Sequence, residues 1–308
     1  MEINKEKLQR ISPLIGLTLL FVVLSIASPQ FLTIDNLITV FRQVTINALI
    51  AFGMTFVILT GGIDLSVGSI VALTGAFTAG AMSNGTSTLV AILIGLSSGI
   101  LMGLANGILI SLGNIPPFVG TLASMTIFRG VTLVYTGGIP ISNLNDSFTF
   151  WGKGYIFGVV PIPVVIMILS FIILYIVLTK TKFGKHVYAI GGNEETAYFS
   201  GVNVKKIKVL VYVISGLLAA MSGMLLTARL NSAQATAGTG FDSDAIASVV
   251  VGGTSLSGGN GGILGTIIGA TIIGVLTNGL NLLGVHSYYQ QIVKGIVIIV
   301  SVLMDRSK

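Results

Sequence analysis

Long apolar runs, separated by short polar or glycine-rich breaks, set the pattern of the whole chain. Breaks at Ser28-Pro29, Gly61-Gly62, 83–87, 113–117, 137–163, 180–208, 229–244, 252–262 and 284–289 leave ten apolar segments. The predicted spans are 12–28, 38–60, 65–83, 88–112, 118–136, 160–179, 209–228, 243–254, 263–283 and 290–304. An apolar helix of about 20 residues crosses the ~30 Å hydrocarbon core of a bilayer. Open sheets leave backbone groups unpaired in lipid, and the regular alternation of barrel strands is missing. The pattern therefore predicts an all-α polytopic membrane protein, a single transmembrane domain over 1–308. The eighth segment is short for a crossing and reads as a candidate half-span.

The longest polar interruption is 180–208, which carries six lysines and two glutamates between uncharged flanks. With ten spans and both termini on the cytoplasmic side, 11 of the 16 basic residues fall inside, including Lys5, Lys7, Arg10 and the six loop lysines. The positive-inside rule then makes 180–208 cytoplasmic and 137–159, with Asp146, Trp151 and Lys153, external. The apolar run that follows Lys5, Lys7 and Arg10 has a signal-peptide look. It lacks a small-x-small cleavage site before Ser28-Pro29, so an uncleaved first span is expected.

Composition supports the same class: 53% of residues are hydrophobic and 8% charged, against roughly 25% charged in soluble domains. The formal charge of +6 lies between spans, where it orients the chain in the membrane and gives no reason to expect nucleic acid. With no cysteine, disulfides and thiolate metal sites are excluded.

A weak repeat runs through the two halves. Gly62-Ile63-Asp64 is echoed by Gly240-Phe241-Asp242, Gly95 and Gly99 by Gly265 and Gly269, Asn106-Gly107 by Asn278-Gly279, and Arg129-Gly130 by Lys294-Gly295. Spans 2–5 would correspond to spans 7–10, five apart and therefore inverted, an arrangement transporters use to place a pathway between halves.

Few residues offer chemistry. Asp64, next to Gly62, reads either as an N-cap taking amide hydrogen bonds from Leu65 to Val67 near an aqueous face, or as a proton or substrate site. Asp242 and Asp244 precede span 8, where Asp244 is a candidate cap and Arg229 a candidate partner for either acid. Arg129 and Lys294, inside predicted spans, read as snorkelling or carbonyl-pairing groups, or as pathway or interface residues. The 252–259 glycines lack the G-x-x-x-x-G-K-[ST] phosphate loop, and His186 and His286 are isolated, so neither a nucleotide site, a metal site nor a catalytic group is expected. With few intramembrane acids for ion coupling, energy is expected to enter through a partner on the polar loop.

That loop carries a resemblance. Gly191-Gly192-Asn193-Glu194-Glu195-Thr196-Ala197, followed by Ser200-Gly201-Val202-Asn203-Val204, resembles the coupling segment of ribose-type ABC sugar importer permeases. The likeness extends through S-P-Q-F-L-T at 28–33, L-T-G-G-I-D-L-S-V-G-S at 59–69, R-G-V-T-L-V-Y-T at 129–136, S-A-Q-A-T-A-G-T-G at 232–240, V-V-G-G-T-S-L-S-G-G at 250–259 and N-G-L-N-L-L-G-V-H-S-Y-Y-Q at 278–290. It implies a type II importer-like fold in the bacterial plasma membrane and two copies forming the pathway. It also implies a cytoplasmic ABC ATPase supplying ATP and Mg chemistry, and an extracellular sugar-binding protein delivering D-ribose. Glu194 and Glu195 would lie in a coupling helix framed by Asn193 and Gly201. The chain departs from the family pattern near Glu195, where alanine is expected, and at Phe241-Asp242-Ser243, where tyrosine-glutamate-leucine is expected. A permease for another monosaccharide or a furanosyl signal molecule, or a stand-alone ion-coupled carrier, are the alternative expectations.

Overall fold

The computed structural model describes residues 5–306, with side chains from Pro13 to Val300 and at Val302 and Leu303. Its elements are α1 (Lys5–Ala27), α2 (Ile34–Leu59), α3 (Val67–Ser83), α4 (Thr88–Ser111), α5 (Pro117–Thr136), β1 (Ile141–Ser142), α6 (Asp146–Lys153), β2 (Tyr155–Ile156), β3 (Val160–Pro161), α7 (Ile162–Lys180), α8 (Lys182–Gly192), α9 (Glu194–Phe199), α10 (Val204–Leu230), β4 (Ser232–Ala233), α11 (Phe241–Val251), α12 (Ile263–Leu282) and α13 (Ser287–Arg306). Each predicted span has its helix. Six of them, α2, α4, α5, α7, α10 and α12, are long and apolar enough to cross a membrane. At 1.5 Å per residue, α11 covers roughly 16 Å, half of a hydrocarbon core, as the half-span reading expects. The largest boundary differences are at α1, which starts at Lys5 instead of 12, and at α10, which starts at Val204 instead of 209 because Asn203 caps it by accepting from the Lys206 amide at 3.1 Å.

The core is built around α2 and α10. From Val44 to Leu59 nearly every residue of α2 is buried, the signature of a helix apolar on all sides. It packs against α10, α11 and α12, while α10 packs against α2, α3 and α4. Helix α3 also touches α4 and α5, and α11 touches α12 and α13. Exchanging α2–α5 with α10–α13 maps one set of neighbours onto the other, the same pairing of halves that the sequence repeat suggests.

Small residues let α4 and α10 meet backbone to backbone. A Cβ on Gly99 would strike the Gly216 carbonyl, and one on Gly103 the Tyr212 carbonyl. A two-stranded pairing of β1 with β4 and a β2–β3 hairpin tie down the segments at the far ends of α5, α7 and α10.

The connection from α2 to α3 turns back into the bundle. Leu59 ends α2 against the 258–259 turn, accepting from the Gly259 amide at 3.0 Å. Ile63 and Asp64 then reach Tyr212 and Ser215, about 12 and 16 Å along α10 from its start. The second half has its own re-entrant segment, 231–240, entering from the opposite end of α10. Here Gly238 meets Gly68 so closely that a Cβ on either would strike the other's carbonyl oxygen. Helices α3 and α11 thus begin back to back at mid-bundle and run apart.

Replacing Gly103 with leucine forces a side chain into the α4–α10 contact, an overpacking worth about 1–3 kcal/mol. The purified variant is expected to melt several degrees below the parent in a detergent thermal-shift assay. Gly130→Leu, where a Cβ meets open space, should leave the melting temperature within a degree or so. Equal effects at both positions would contradict this packing.

Candidate functional site

The 180–208 interruption folds into two short helices. Helix α8 buries Gly184, Val187 and Ile190 on one face, and the Tyr188 hydroxyl donates to the Gly261 carbonyl at 2.8 Å. Gly191 lies against the Leu59 carbonyl and the Gly259 amide with no room for a Cβ, while Gly192 is open. The loop therefore rests directly on the end of α2 and on the α11–α12 turn.

Helix α9 projects from this base. Asn193 caps it, its Oδ1 accepting from the Thr196 amide at 2.7 Å, a capping geometry favoured for Asn. Gly201 closes it at φ +85° in open space, where a side chain would be strained by the left-handed backbone and not by crowding. The Val202 amide bonds back to the Ala197 carbonyl at 3.1 Å, and Asn203 starts α10. Glu194 pairs with Lys208 at 2.6 Å, whereas Glu195 is exposed and makes no ion pair among the described residues. One face of α9 is thus held by Ala197, and the other is presented to solvent.

The sequence reading missed two residues on that exposed face. Tyr198 and Phe199 are 66% and 78% exposed and pack edge to face at 5.6 Å between ring centroids. The available signal was the pair itself: two adjacent aromatic residues inside the most polar stretch of the chain. Beside α9 a cavity of about 330 Å³ opens between Gly61, Gly62, Gly191, Glu194, Lys208 and Tyr212.

The remaining charged candidates sit deeper. Asp64 is fully enclosed, contrary to the expectation of an aqueous face. Its Oδ1 accepts from the Ser66 amide at 3.0 Å and the Ser66 hydroxyl at 2.6 Å, and its Oδ2 accepts from Ser215 at 2.8 Å. Of the three amides expected at the cap, only that of Ser66 bonds to it. Asn106 donates to the Ser66 hydroxyl at 2.8 Å, joining α4 to the network, and Gly62 lies under the Tyr212 phenol.

Arg129 reaches from α5 into the meeting point of α3 and α11. It donates to the carbonyls of Ala235, Ala237 and Gly68. Non-helical backbone at membrane depth survives only when its polar groups find protein partners, and Arg129 supplies them for the Ala235 and Ala237 carbonyls. Lys294 reaches from α13 to the first turn of α11 in the corresponding way, pairing with Asp244 at 2.8 Å. The echoed asparagines are less symmetric, since Asn278 exchanges amide hydrogen bonds with Asn36 of α2.

Arg229 corrects an expectation. It pairs with neither acid: Asp244 is taken by Lys294, and Asp242 accepts from the Ser243 hydroxyl at 3.4 Å and from its own backbone amide. Nor does Asp244 cap α11, whose N-cap is Gly240. The expectation failed because Lys294, fifty residues away in sequence, takes Asp244, while Arg229 lines the same cavity as Asp244 without bonding to it. Arg42, overlooked inside span 2, donates to the Lys153 carbonyl at 2.8 Å and lies over the Tyr155 ring.

A bundle of apolar helices with two re-entrant segments and a projecting polar helix at one end is the architecture of a membrane permease. The chain belongs to the family described as branched-chain amino acid transport system, permease component, whose pattern matches residues 36–302. It is 54% identical over 303 residues to the ribose import permease protein RbsC of Bacillus subtilis, covering 98% of this chain and 94% of that one. It is 49% identical to RbsC of Escherichia coli K12, covering 99% and 96%, and 40% identical to the D-allose transport system permease protein AlsC of the same organism, covering 92% and 86%. No solved structure matches the chain. The protein is a permease of the plasma membrane and not an enzyme.

Substituting Gly201 with valine should cost about 1–2 kcal/mol locally. Removing the cap in Asn193→Ala should cost about 0.5–2 kcal/mol. Amide hydrogen exchange over 194–200 is expected to quicken roughly five- to thirtyfold in the Gly201 variant and about two- to thirtyfold in Asn193→Ala, with α2 and α10 unchanged. Exchange identical to the parent would mean that these caps do not hold α9.

Proposed function

We propose that this chain is the transmembrane subunit of an ATP-driven D-ribose importer. Two copies form the pathway, a separate cytoplasmic ABC ATPase drives it with ATP and Mg, and an extracellular sugar-binding protein delivers the substrate. The observation that carries the substrate choice is the gap between near-full-length relatives, 54% and 49% for two ribose import permeases against 40% for a D-allose permease.

Topology fits the same reading, with both termini and 180–208 in the cytoplasm, 137–161 outside, and 231–240 entering the bundle from the outer side. Helix α9 is then the piece that enters the ATPase. Its buried side is fixed by Ala197 and its caps, and it offers Glu195, Tyr198 and Phe199 outward. An exposed aromatic pair beside a carboxylate is the composition of an anchor in a protein interface, where aromatic side chains supply most of the contact energy. Gly191, Gly192, Gly201, Val202 and Asn203 shape this piece and need not touch the partner.

The mechanism is alternating access. Closure of the ATPase pair moves α9, and the backbone contacts of Gly191 with Leu59 and Gly259 carry that motion to α2 and to the α11–α12 turn. Gly62, Asp64, Arg129, Asp242 and the Asp244–Lys294 pair hold the region where the two halves meet, and the opening passes between them. An uncharged pentose needs hydroxyl and amide partners along this path, which suits a chain with so few charges.

The test uses the complete importer in proteoliposomes. Reversing Glu194 and Glu195 to lysine is expected to lower ATPase co-purification and to cut D-ribose uptake by about tenfold or more, the size expected when interface charges meet a mismatched partner. Unchanged uptake would sink the coupling role of α9. D-allose competing as well as D-ribose for the assembled importer would sink the substrate assignment.

A further inference from the structure

A second cavity, of about 280 Å³, lies between α2, α10, α11 and α12, close to the re-entrant 231–240 segment. Its size is near the lower end of small-molecule sites, about 300 Å³. Leu226 and Ile273 form part of its wall, and Gln43, Asn47, Arg229, Asp244, Thr277 and Phe241 bring polar groups and a ring to it. These residues come from both halves of the repeat, around the two central helices.

Several of these groups are left with unused capacity. Asn47 donates to the Ser248 hydroxyl at 2.9 Å, but its Oδ1 is buried with no donor. Such an orphan acceptor is costly unless something fills it. Arg229 is partly buried and makes no ion pair or hydrogen bond among the described residues. Asp244 is anchored through Oδ2 by Lys294, leaving its charge compensated. Thr277 spends its proton on the Ile273 carbonyl and keeps its lone pairs.

We infer that this cavity is a monosaccharide subsite on the outer half of the permease, taking the sugar after the binding protein releases it. This rests on the importer reading above. A sugar presents hydroxyl groups that both donate and accept around a ring with apolar C–H faces. The Asp244 carboxylate and the Thr277 hydroxyl oxygen accept from hydroxyls, the Arg229 guanidinium donates to them, and the Phe241 ring covers a C–H face. The set is mixed in sign and suits a neutral polyhydroxy ligand. A phosphorylated sugar would gain Arg229 but face Asp244. The site lies on the far side of the Gly68–Gly238 contact from α9, so an occupant waits before that close backbone approach.

The test joins transport to binding. Asn47→Leu, Arg229→Met and the cavity-filling Thr277→Phe are reconstituted with the ATPase and the binding protein, with R229K as the conservative comparison. At saturating sugar-loaded binding protein, D-ribose uptake should fall about tenfold in the first three and recover partly in R229K, while ATP hydrolysis stimulated by the binding protein stays within about twofold of the parent. Saturation-transfer NMR on nanodisc-embedded permease should show D-ribose contact in the parent and none in Thr277→Phe, with D-ribose 5-phosphate weaker. Uptake within twofold of the parent in all three variants overturns the subsite. So do uptake and ATP hydrolysis falling together in all four, and so does D-ribose contact that survives Thr277→Phe or is weaker than that of the phosphate. If the parent importer carries another monosaccharide, the ribose assignment fails, and the same variants judge the subsite with that sugar. No contact from D-ribose, D-allose or D-xylose in the parent overturns the subsite and leaves the importer reading standing.

Discussion

Two short helices start back to back in the middle of the bundle, and that contact governs the rest of the fold. Gly68 and Gly238 approach until neither has room for a Cβ. Each helix must be reached by chain that enters the bundle without helical hydrogen bonds, and such backbone has no water to satisfy it. Arg129 answers for 235–237 and for the start of α3, and Tyr212 and Thr121 donate to the Ile63 carbonyl. Asp64 and Asp242 sit where the two N-terminal ends carry partial positive charge, the place where carboxylates are favoured. The few charges of the interior are therefore used to hold irregular backbone, which is why so few are found there.

The same arrangement ties the permease interior to its polar end. The chain leaving α2, the turn between α11 and α12, and Gly191 of α8 are in backbone contact, through the Gly259–Leu59 hydrogen bond and the absence of space around Gly191. Each of the first two leads directly to one of the short central helices. A displacement of α9 thus has a route of packed backbone to the meeting point of the two halves, with no flexible side chain between. Two helices that start at mid-bundle, moving against each other, make the kind of discrete rearrangement from which transporters build access to either side.

The fold class and nearly all the helices could be read from the sequence, because apolar length is decided by the bilayer and needs no tertiary context. The short α11 was visible for the same reason. The repeat was visible only as scattered glycines and charges, and the structure gives them a common cause, since Arg129 and Lys294 both reach the first turn of a short helix. Partner choice was where the sequence misled. Arg229 is close to Asp242 and Asp244 along the chain, yet the pairing goes to Lys294, because α13 lies against α11 and the end of α10 does not. The enclosure of Asp64 was hidden for a related reason: a Gly-Gly turn reads as a surface loop unless one knows that it folds inward onto Ser215. The aromatic tip of α9 and the lining of the outer cavity come from residues that look ordinary in sequence and gain meaning only from exposure and convergence.

The central claim is that an external ATPase, and not an ion gradient, drives sugar through this chain. Proteoliposomes holding the permease with its ATPase, with sugar-loaded binding protein on the outer side, decide it through uptake of labelled D-ribose. Accumulation that requires ATP inside together with the binding protein, and that persists when proton and sodium gradients are collapsed, is the predicted result. Uptake by the permease alone under an ion gradient, with no response to ATP, would contradict it.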